Sequence, residues 1–119
     1  MVQKGSYLVP TDRCGVWFTR VFHLYGGFKR RVSSISNFIK VSVRSTKPNN
    51  WLRKKTKLRS IIIRTKKETP KLDGTYIKFK YNNNVLLKKR LTPKGKELYG
   101  PSLFKLRRKR FMYSFVKVV

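Results

Sequence analysis

The sequence predicts an all-β protein: a small closed barrel of five or six short strands, followed by a short C-terminal helical segment. Three observations carry this. Apolar residues recur with period two in several segments, whereas helical spacing is scarce. The segments are short and separated by clusters of Gly, Pro and Asn, which punctuate all-β chains. Closing such strands into a barrel removes the unpaired edges that would otherwise invite edge-to-edge association.

Residues 16–24 are rich in Val, Phe, Trp and Thr and stop at Gly26-Gly27, so a strand ending in a bend is expected. Its aromatics Trp17, Phe18 and Phe22, together with Phe79 further on, are expected to pack in the core. Ile35, Asn37, Ile39, Val41 and Val43 alternate with Ser36, Phe38, Lys40, Ser42 and Arg44, which gives a second strand with one largely apolar face. Ile61-Ile62-Ile63, between Arg59 and Arg64, is a continuous β-branched run and predicts a central strand with both faces covered. Asp73-Gly74 signals a tight turn directly before the alternating segment 75–81, a fourth strand. Asn82-Asn83-Asn84 reads as a turn, and Val85-Leu86-Leu87 as the strand that leaves it. Beyond Gly100-Pro101, Ser102 is a candidate N-cap with Leu103 and Leu106 at helical spacing, so residues 102–110 are expected to form one or two helical turns. With no internal repeat or linker visible, residues 1–119 are expected to form one domain.

Charge narrows the function. The chain carries 31 Lys and Arg against 4 Asp and Glu, a net +27. At the surface expected for this mass that is about one net positive charge per 250 Å², where small soluble domains carry a total of about 2 to 8. Self-repulsion at this density destabilises the compact state unless a dense anion neutralises it, and nucleic acid is the fitting polyanion. The longest stretch free of Lys, Arg, Asp and Glu is eight residues, too short to cross a membrane as a helix. The first dozen residues read as neither signal nor transit peptide. Single Cys14 suits a reducing compartment. Alanine is absent, while Lys, Asn, Phe, Tyr and Ile supply 45 residues, a skew typical of AT-biased coding.

The cations fall in five runs, read as lying between strands: Lys29-Arg30-Arg31; Arg53-Lys54-Lys55 with Lys57 and Arg59; Arg64 with Lys66-Lys67; Lys88-Lys89-Arg90; and Arg107-Arg108-Lys109-Arg110. One such run is ordinarily a solvated face. Five at +27 point to phosphate contacts, with Arg gripping bidentately and Lys acting as a mobile point charge. The first run follows the Gly26-Gly27 bend, where missing side chains let a phosphate approach, so it is favoured over Lys88-Lys89. Aromatics sit beside the cations at Phe28, Trp51 and Tyr113, and Trp51 in the polar stretch after Lys47 is the candidate RNA contact. Catalysis finds little support, because Asp12, Glu68, Asp73 and Glu97 form no evident acid–base pair. His23 and Cys14 stand alone, so neither a metal nor a cofactor is expected.

Several ordered motifs recur together: Asp12-x-x-Gly15, Leu24-Tyr25-Gly26-Gly27, Arg30-Arg31, Ile63-Arg64-Thr65-Lys66-Lys67, Asp73-Gly74 with Ile77-Lys78-Phe79, Val85-Leu86-Leu87, and Gly95 followed by Leu98-Tyr99-Gly100-Pro101. In this order, from Met1 to about Met112, the chain resembles the universal large-subunit ribosomal protein numbered fourteen. The resemblance implies a five-stranded barrel with a β-ribbon and a small C-terminal helical part, bound to large-subunit rRNA near the subunit interface. It further implies as neighbours the large-subunit proteins numbered three and nineteen and the small-subunit rRNA across a bridge, and as docking partners the factors that prevent subunit joining. Lys96, Glu97, Arg107, Arg108, Lys109 and Arg110 then form a candidate intersubunit or partner surface. The family commonly has Gly-Asp at Ser36-Asn37, Asp-Gly at Lys80-Tyr81 and Thr-Arg at Lys96-Glu97, and the last departure falls where factors would dock. The family's usual Ala-Pro-containing tail is also missing. The coding skew, the divergence and the lack of an N-terminal extension point to an organelle, foremost the mitochondrion, with plastid or bacterial cytoplasm as alternatives. The rival reading is a free-standing barrel that binds single-stranded nucleic acid. A polybasic membrane-surface role lacks an amphipathic basic helix.

Overall fold

Five strands close on themselves. The structure is a computed structural model that describes residues 2–12, 14–27, 31–48, 51–90, 92–95, 97–101 and 117–118. The barrel runs β1 (Tyr7–Pro10), β2 (Val16–Leu24), β3 (Phe38–Thr46), β4 (Lys57–Arg64) and β7 (Asn83–Leu87). Neighbours pair antiparallel except at the seam, where β1 and β7 run parallel with Val9 opposite Asn83 and Pro10 opposite Asn84. A two-stranded ribbon, β5 (Thr69–Pro70) with β6 (Tyr76–Ile77), is inserted between β4 and β7. Near the C-terminus β8 (Glu97–Leu98) pairs parallel with β9 (Lys117–Val118). Among the described residues there is no helix, and the helical segment expected at 102–110 lies outside them.

Side-chain parity explains two separate cores. Ile39, Val41 and Val43 of β3, Ile62 of β4 and Leu86 of β7 point into the barrel with Leu8, Val21 and Leu24. On β4 and β7 the alternate residues Ile61, Ile63, Val85 and Leu87 face outward, where Ile35 and Leu98 cover them and Phe38 and Phe79 pack alongside. The triple-Ile strand is therefore buried on both faces, as its composition implied. Its buried apolar side chains are branched aliphatics, the shapes that fill a narrow five-stranded interior. A polar cluster crosses that interior: Asn84 donates to Ser60 Oγ at 2.7 Å and to Thr19 Oγ1 at 3.4 Å, while those hydroxyls donate to the Val85 and Leu8 carbonyls.

Four local expectations need correction. Three register shifts along β2, between Val16 and Phe18, Phe18 and Thr19, and Val21 and His23, break its strict alternation. Trp17, Phe18 and Phe22 therefore stand 48%, 47% and 39% exposed instead of packing in the core; Phe79 does pack, against the outer cluster. The second strand begins at Phe38, not Ile35, because Ser36 has φ of +76° and turns the chain. The fourth expected strand shrinks to Tyr76–Ile77, since only Thr69 and Pro70 pair with it. Asn83 and Asn84 are strand, not turn; their amide nitrogens donate to distant partners, with Asn83 donating to the Val9 carbonyl at 3.1 Å. Finally, β1 was not expected from its sequence at all.

Candidate nucleic-acid interface

Strand direction sorts the connections onto two ends. Arg59 pairs with Leu87 and Ser42 with Lys57, so the loop 47–56 and the hairpin after Leu87 leave the barrel at the same end. The connection 25–37 and the ribbon 65–82 leave at the other. Of the residues singled out from sequence, Lys47, Trp51, Arg53, Lys54, Lys55, Lys57, Arg59, Lys88, Lys89 and Arg90 come together at or near the first end. Arg31, Arg64, Lys66 and Lys67 sit at the second. Lys29, Arg30, Lys96, Arg107, Arg108, Lys109 and Arg110 lie outside the described residues.

The first end holds a groove lined by Lys40, Lys57, Arg59, Lys88, Lys89, Arg90 and Lys94 over Leu58 and Leu87. Its walls follow from local structure. Lys57 and Arg59 share the outer parity of β4 with Ile61 and Ile63, so a single strand face changes from cationic to apolar along its length. Lys40 stands directly opposite Arg59 on β3. On the far side Lys88 N–H donates to the Thr92 carbonyl at 2.7 Å and Lys94 N–H to the Leu86 carbonyl at 3.0 Å. That hairpin returns residues 92–94 along β7 and leaves Lys88-Lys89-Arg90 toward its tip. Like charges so close repel each other unless a chain of phosphates lies between them.

Two groove residues, Lys40 and Lys94, were missed from sequence. Neither has a cation as its immediate neighbour in sequence, and only the cross-strand pairing places Lys40 beside Arg59. Lys57 and Arg59 are also not loop residues but strand residues, so cations lie on the barrel wall as well as at loop tips. The wall carries cation–aromatic pairs too, with Arg20 5.8 Å from the Tyr7 ring centre and Lys57 5.8 Å from that of Phe22.

Arg64 also bonds the chain's own backbone. Its Nε donates to the Pro101 carbonyl at 2.8 Å, Nη1 to Asn83 Oδ1 at 3.2 Å and Nη2 to the Tyr99 carbonyl, so the guanidinium clamps residues 99–101 to the barrel. Gly100 has φ of +83°, and a Cβ there would meet that guanidinium. Asp12 is a second staple. Its buried carboxylate accepts from Gly95 N–H at 3.1 Å and from the Cys14 thiol at 3.5 Å. Burial holds Asp12 above its ordinary value, and burial followed by the Asp12 charge pushes the Cys14 thiol up to about 12. A thiol so held stays protonated and is a poor nucleophile. Asp73 is explained by its turn: the Thr75 hydroxyl at 2.6 Å and N–H at 3.1 Å bond its carboxylate and hold it below the ordinary value.

A barrel with a cationic groove and a clamped C-terminal segment can be compared with known proteins. The model of the family described as ribosomal protein L14p/L23e matches residues 1–117. The chain belongs to that family. A large ribosomal subunit protein uL14m of Tetrahymena pyriformis is 64% identical over 115 residues, which span 97% of each chain. Ser36 has φ of +76°, a conformation that Gly adopts without strain. The Lys80 ammonium lies 5.5 Å from the Tyr81 ring centre.

Proposed function

We propose that the groove end of this barrel is its principal anchor on large-subunit rRNA. The chain is a structural constituent of the mitochondrial large ribosomal subunit and not an enzyme. In that setting it binds rRNA and neighbouring ribosomal proteins. The observation that carries the groove reading is the convergence of seven cations from β3, β4 and the hairpin after β7 on one concave strip. Separate elements thereby grip successive phosphates with the rigid barrel as their common base.

Lys47, Arg53, Lys54 and Lys55 extend the same surface beyond the groove. Arg31, Lys66 and Lys67, with Lys29 and Arg30, make a second RNA contact at the opposite end. Arg107, Arg108, Lys109 and Arg110, with Lys96 and Glu97, serve as an intersubunit or partner surface. The large-subunit proteins numbered three and nineteen adjoin the chain, small-subunit rRNA meets it across a bridge, and anti-association factors dock around Lys96-Glu97. Residues 1–119 act as one domain throughout.

Sedimentation of mitochondrial ribosomal particles through a high-salt gradient tests the anchor. The wild-type chain is expected to travel with the large subunit, and a variant with Lys57, Arg59, Lys88 and Lys89 all changed to Glu is expected near the top. Normal incorporation of that variant would overturn the assignment of the groove.

A further inference from the structure

We infer that Trp51 is a stacking platform for an unpaired RNA base, an inference that rests on the rRNA reading above and specifies what this end of the barrel recognises. The indole is 98% exposed. An exposed Trp is unremarkable on a floppy loop, but this one is held. Leu52, the next residue, packs against the barrel core and fixes the chain beside it. Lys55 N–H donates to the Val43 carbonyl at 2.8 Å, and the Thr56 N–H and hydroxyl both donate to the Arg53 carbonyl, at 3.3 and 2.7 Å. With Leu52 turned in, Trp51 and Arg53 on either side of it are turned out. The backbone that follows the indole is thereby anchored to the barrel, which lowers the ordering cost of a contact there.

The surroundings select the ligand. Lys47 before the indole and Arg53, Lys54 and Lys55 after it are all exposed, so the platform lies in a positive field that favours a polyanion over an apolar protein pocket. The same loop enters β4 at Lys57, which lines the groove. A strand whose phosphates follow the groove cations therefore reaches the indole. Bases inside a duplex have both faces covered by their neighbours, whereas an unpaired base offers a free π-face to a flat aromatic ring. Stacking of this kind tolerates any base and adds to the phosphate contacts without replacing them.

The test uses the full-length chain with Trp17→Phe, so that Trp51 alone fluoresces, and two dye-labelled probes: a single-stranded oligoadenylate and a fully paired RNA duplex of equal length. Anisotropy of the dye reports binding independently of the indole. Oligoadenylate is expected to quench Trp51, and the duplex to bind without quenching it. Trp51→Ala should weaken oligoadenylate binding by about tenfold or more, leave duplex binding within about twofold, and be largely rescued by Trp51→Phe. Binding without quenching, equal quenching by both probes, or an unchanged affinity in Trp51→Ala would each overturn the stacking role while leaving the rRNA reading in place. Loss of incorporation into the large subunit with unchanged RNA affinity would assign the indole to a protein neighbour and also overturn it. If neither RNA changes the anisotropy, the rRNA reading itself fails and the platform with it.

Discussion

At one end of the barrel, loop 47–56 and the hairpin after Leu87 gather cations around a groove; at the other, Arg64 at the end of β4 bonds the chain's own backbone at Tyr99 and Pro101. Local charge at the two ends looks alike in sequence. The difference is convergence. At the groove end three elements aim cations at one strip, so a bound strand releases several counterions together. At the ribbon end the best-placed guanidinium, that of Arg64, is committed to the Tyr99 and Pro101 carbonyls and to Asn83. One end gathers cations on one strip, and part of the other holds residues 99–101 against the barrel.

The sharpest way to break this comparison is to reverse charge at each end separately. Sequence alone favours Lys29-Arg30-Arg31, next to the glycine bend, whereas convergence favours the groove. A Lys57→Glu, Lys88→Glu, Lys89→Glu protein should bind its rRNA fragment about 100-fold more weakly or worse. Its log–log salt slope should flatten by about 2, as three phosphate contacts are lost. The Lys29→Glu, Arg30→Glu, Arg31→Glu protein should lose less. Equal losses would show that net charge alone matters, and a larger loss at the glycine bend would reverse the ranking of the ends.

The clamp at the ribbon end gives the next largest effect, this time on stability. Arg64→Ala removes the bonds to the Tyr99 and Pro101 carbonyls and to Asn83, and because water reaches the two carbonyls the cost is about 0.5–1.5 kcal/mol. Gly100→Ala should cost a similar amount, because φ of +83° strains any side chain and the new Cβ collides with the guanidinium. Denaturant melts of both variants and of the double variant check this. The double variant should be no worse than Arg64→Ala by the full cost of Gly100→Ala, since removing the guanidinium removes the collision. Strict additivity would show that the two residues do not act on each other.

How much of this was readable in advance depends on how local each signal is. Strand β2 and the doubly covered Ile61–Ile63 were legible, because period and β-branching act within a few residues. Strand β1 was not. It has four residues and ends in Pro10, and what holds it is pairing with β2 on one side and with β7, far along the chain, on the other. Asn83 and Asn84 looked like a turn because the residues that accept from their amide nitrogens, Val9, Ser60 and Thr19, are distant in sequence. In the candidate interface the runs were visible but their grouping was not. Lys40 and Lys94 gain significance only when the register places them beside Arg59 and Leu86.

A pH effect sharpens the account of the second staple. Burial raises the Asp12 carboxyl above its ordinary value, so the native state binds that proton more readily than the unfolded chain does. The stabilisation this brings is fully present below the unfolded value, about 3.9, and is lost as pH rises through the native value. Asp12→Asn should therefore remove a decline in stability that begins near pH 4 and runs upward. Asp73, held below its ordinary value, contributes with the opposite sign, but it is common to both proteins and cancels in the difference. Identical stability–pH profiles for wild type and Asp12→Asn would mean that the carboxyl is not strained by its burial.

The smallest effect compares the ends through their backbones. Among the described residues each carries one non-glycine residue in the left-handed region, Ser36 with φ of +76° at the ribbon end and Lys55 with φ of +68° at the groove end. Such a residue costs about 1 kcal/mol or more, and glycine relieves that while adding about 0.5–1 kcal/mol of unfolded-state entropy. The net gain from Ser36→Gly or Lys55→Gly should therefore be small, about 0.5 kcal/mol, and visible as a rise of a few degrees in melting temperature. The two variants should part company on RNA. Ser36→Gly, buried and uncharged, should leave affinity and salt slope unchanged. Lys55→Gly removes an exposed cation beside the Trp51 platform, so it should bind more weakly and with a slope flatter by up to about 0.7, even as the fold becomes more stable. A left-handed lysine retained at that expense is best explained by where it points its charge. Stabilisation in Lys55→Gly with no loss of RNA affinity would remove that explanation and leave the strain at Lys55 without a functional reason.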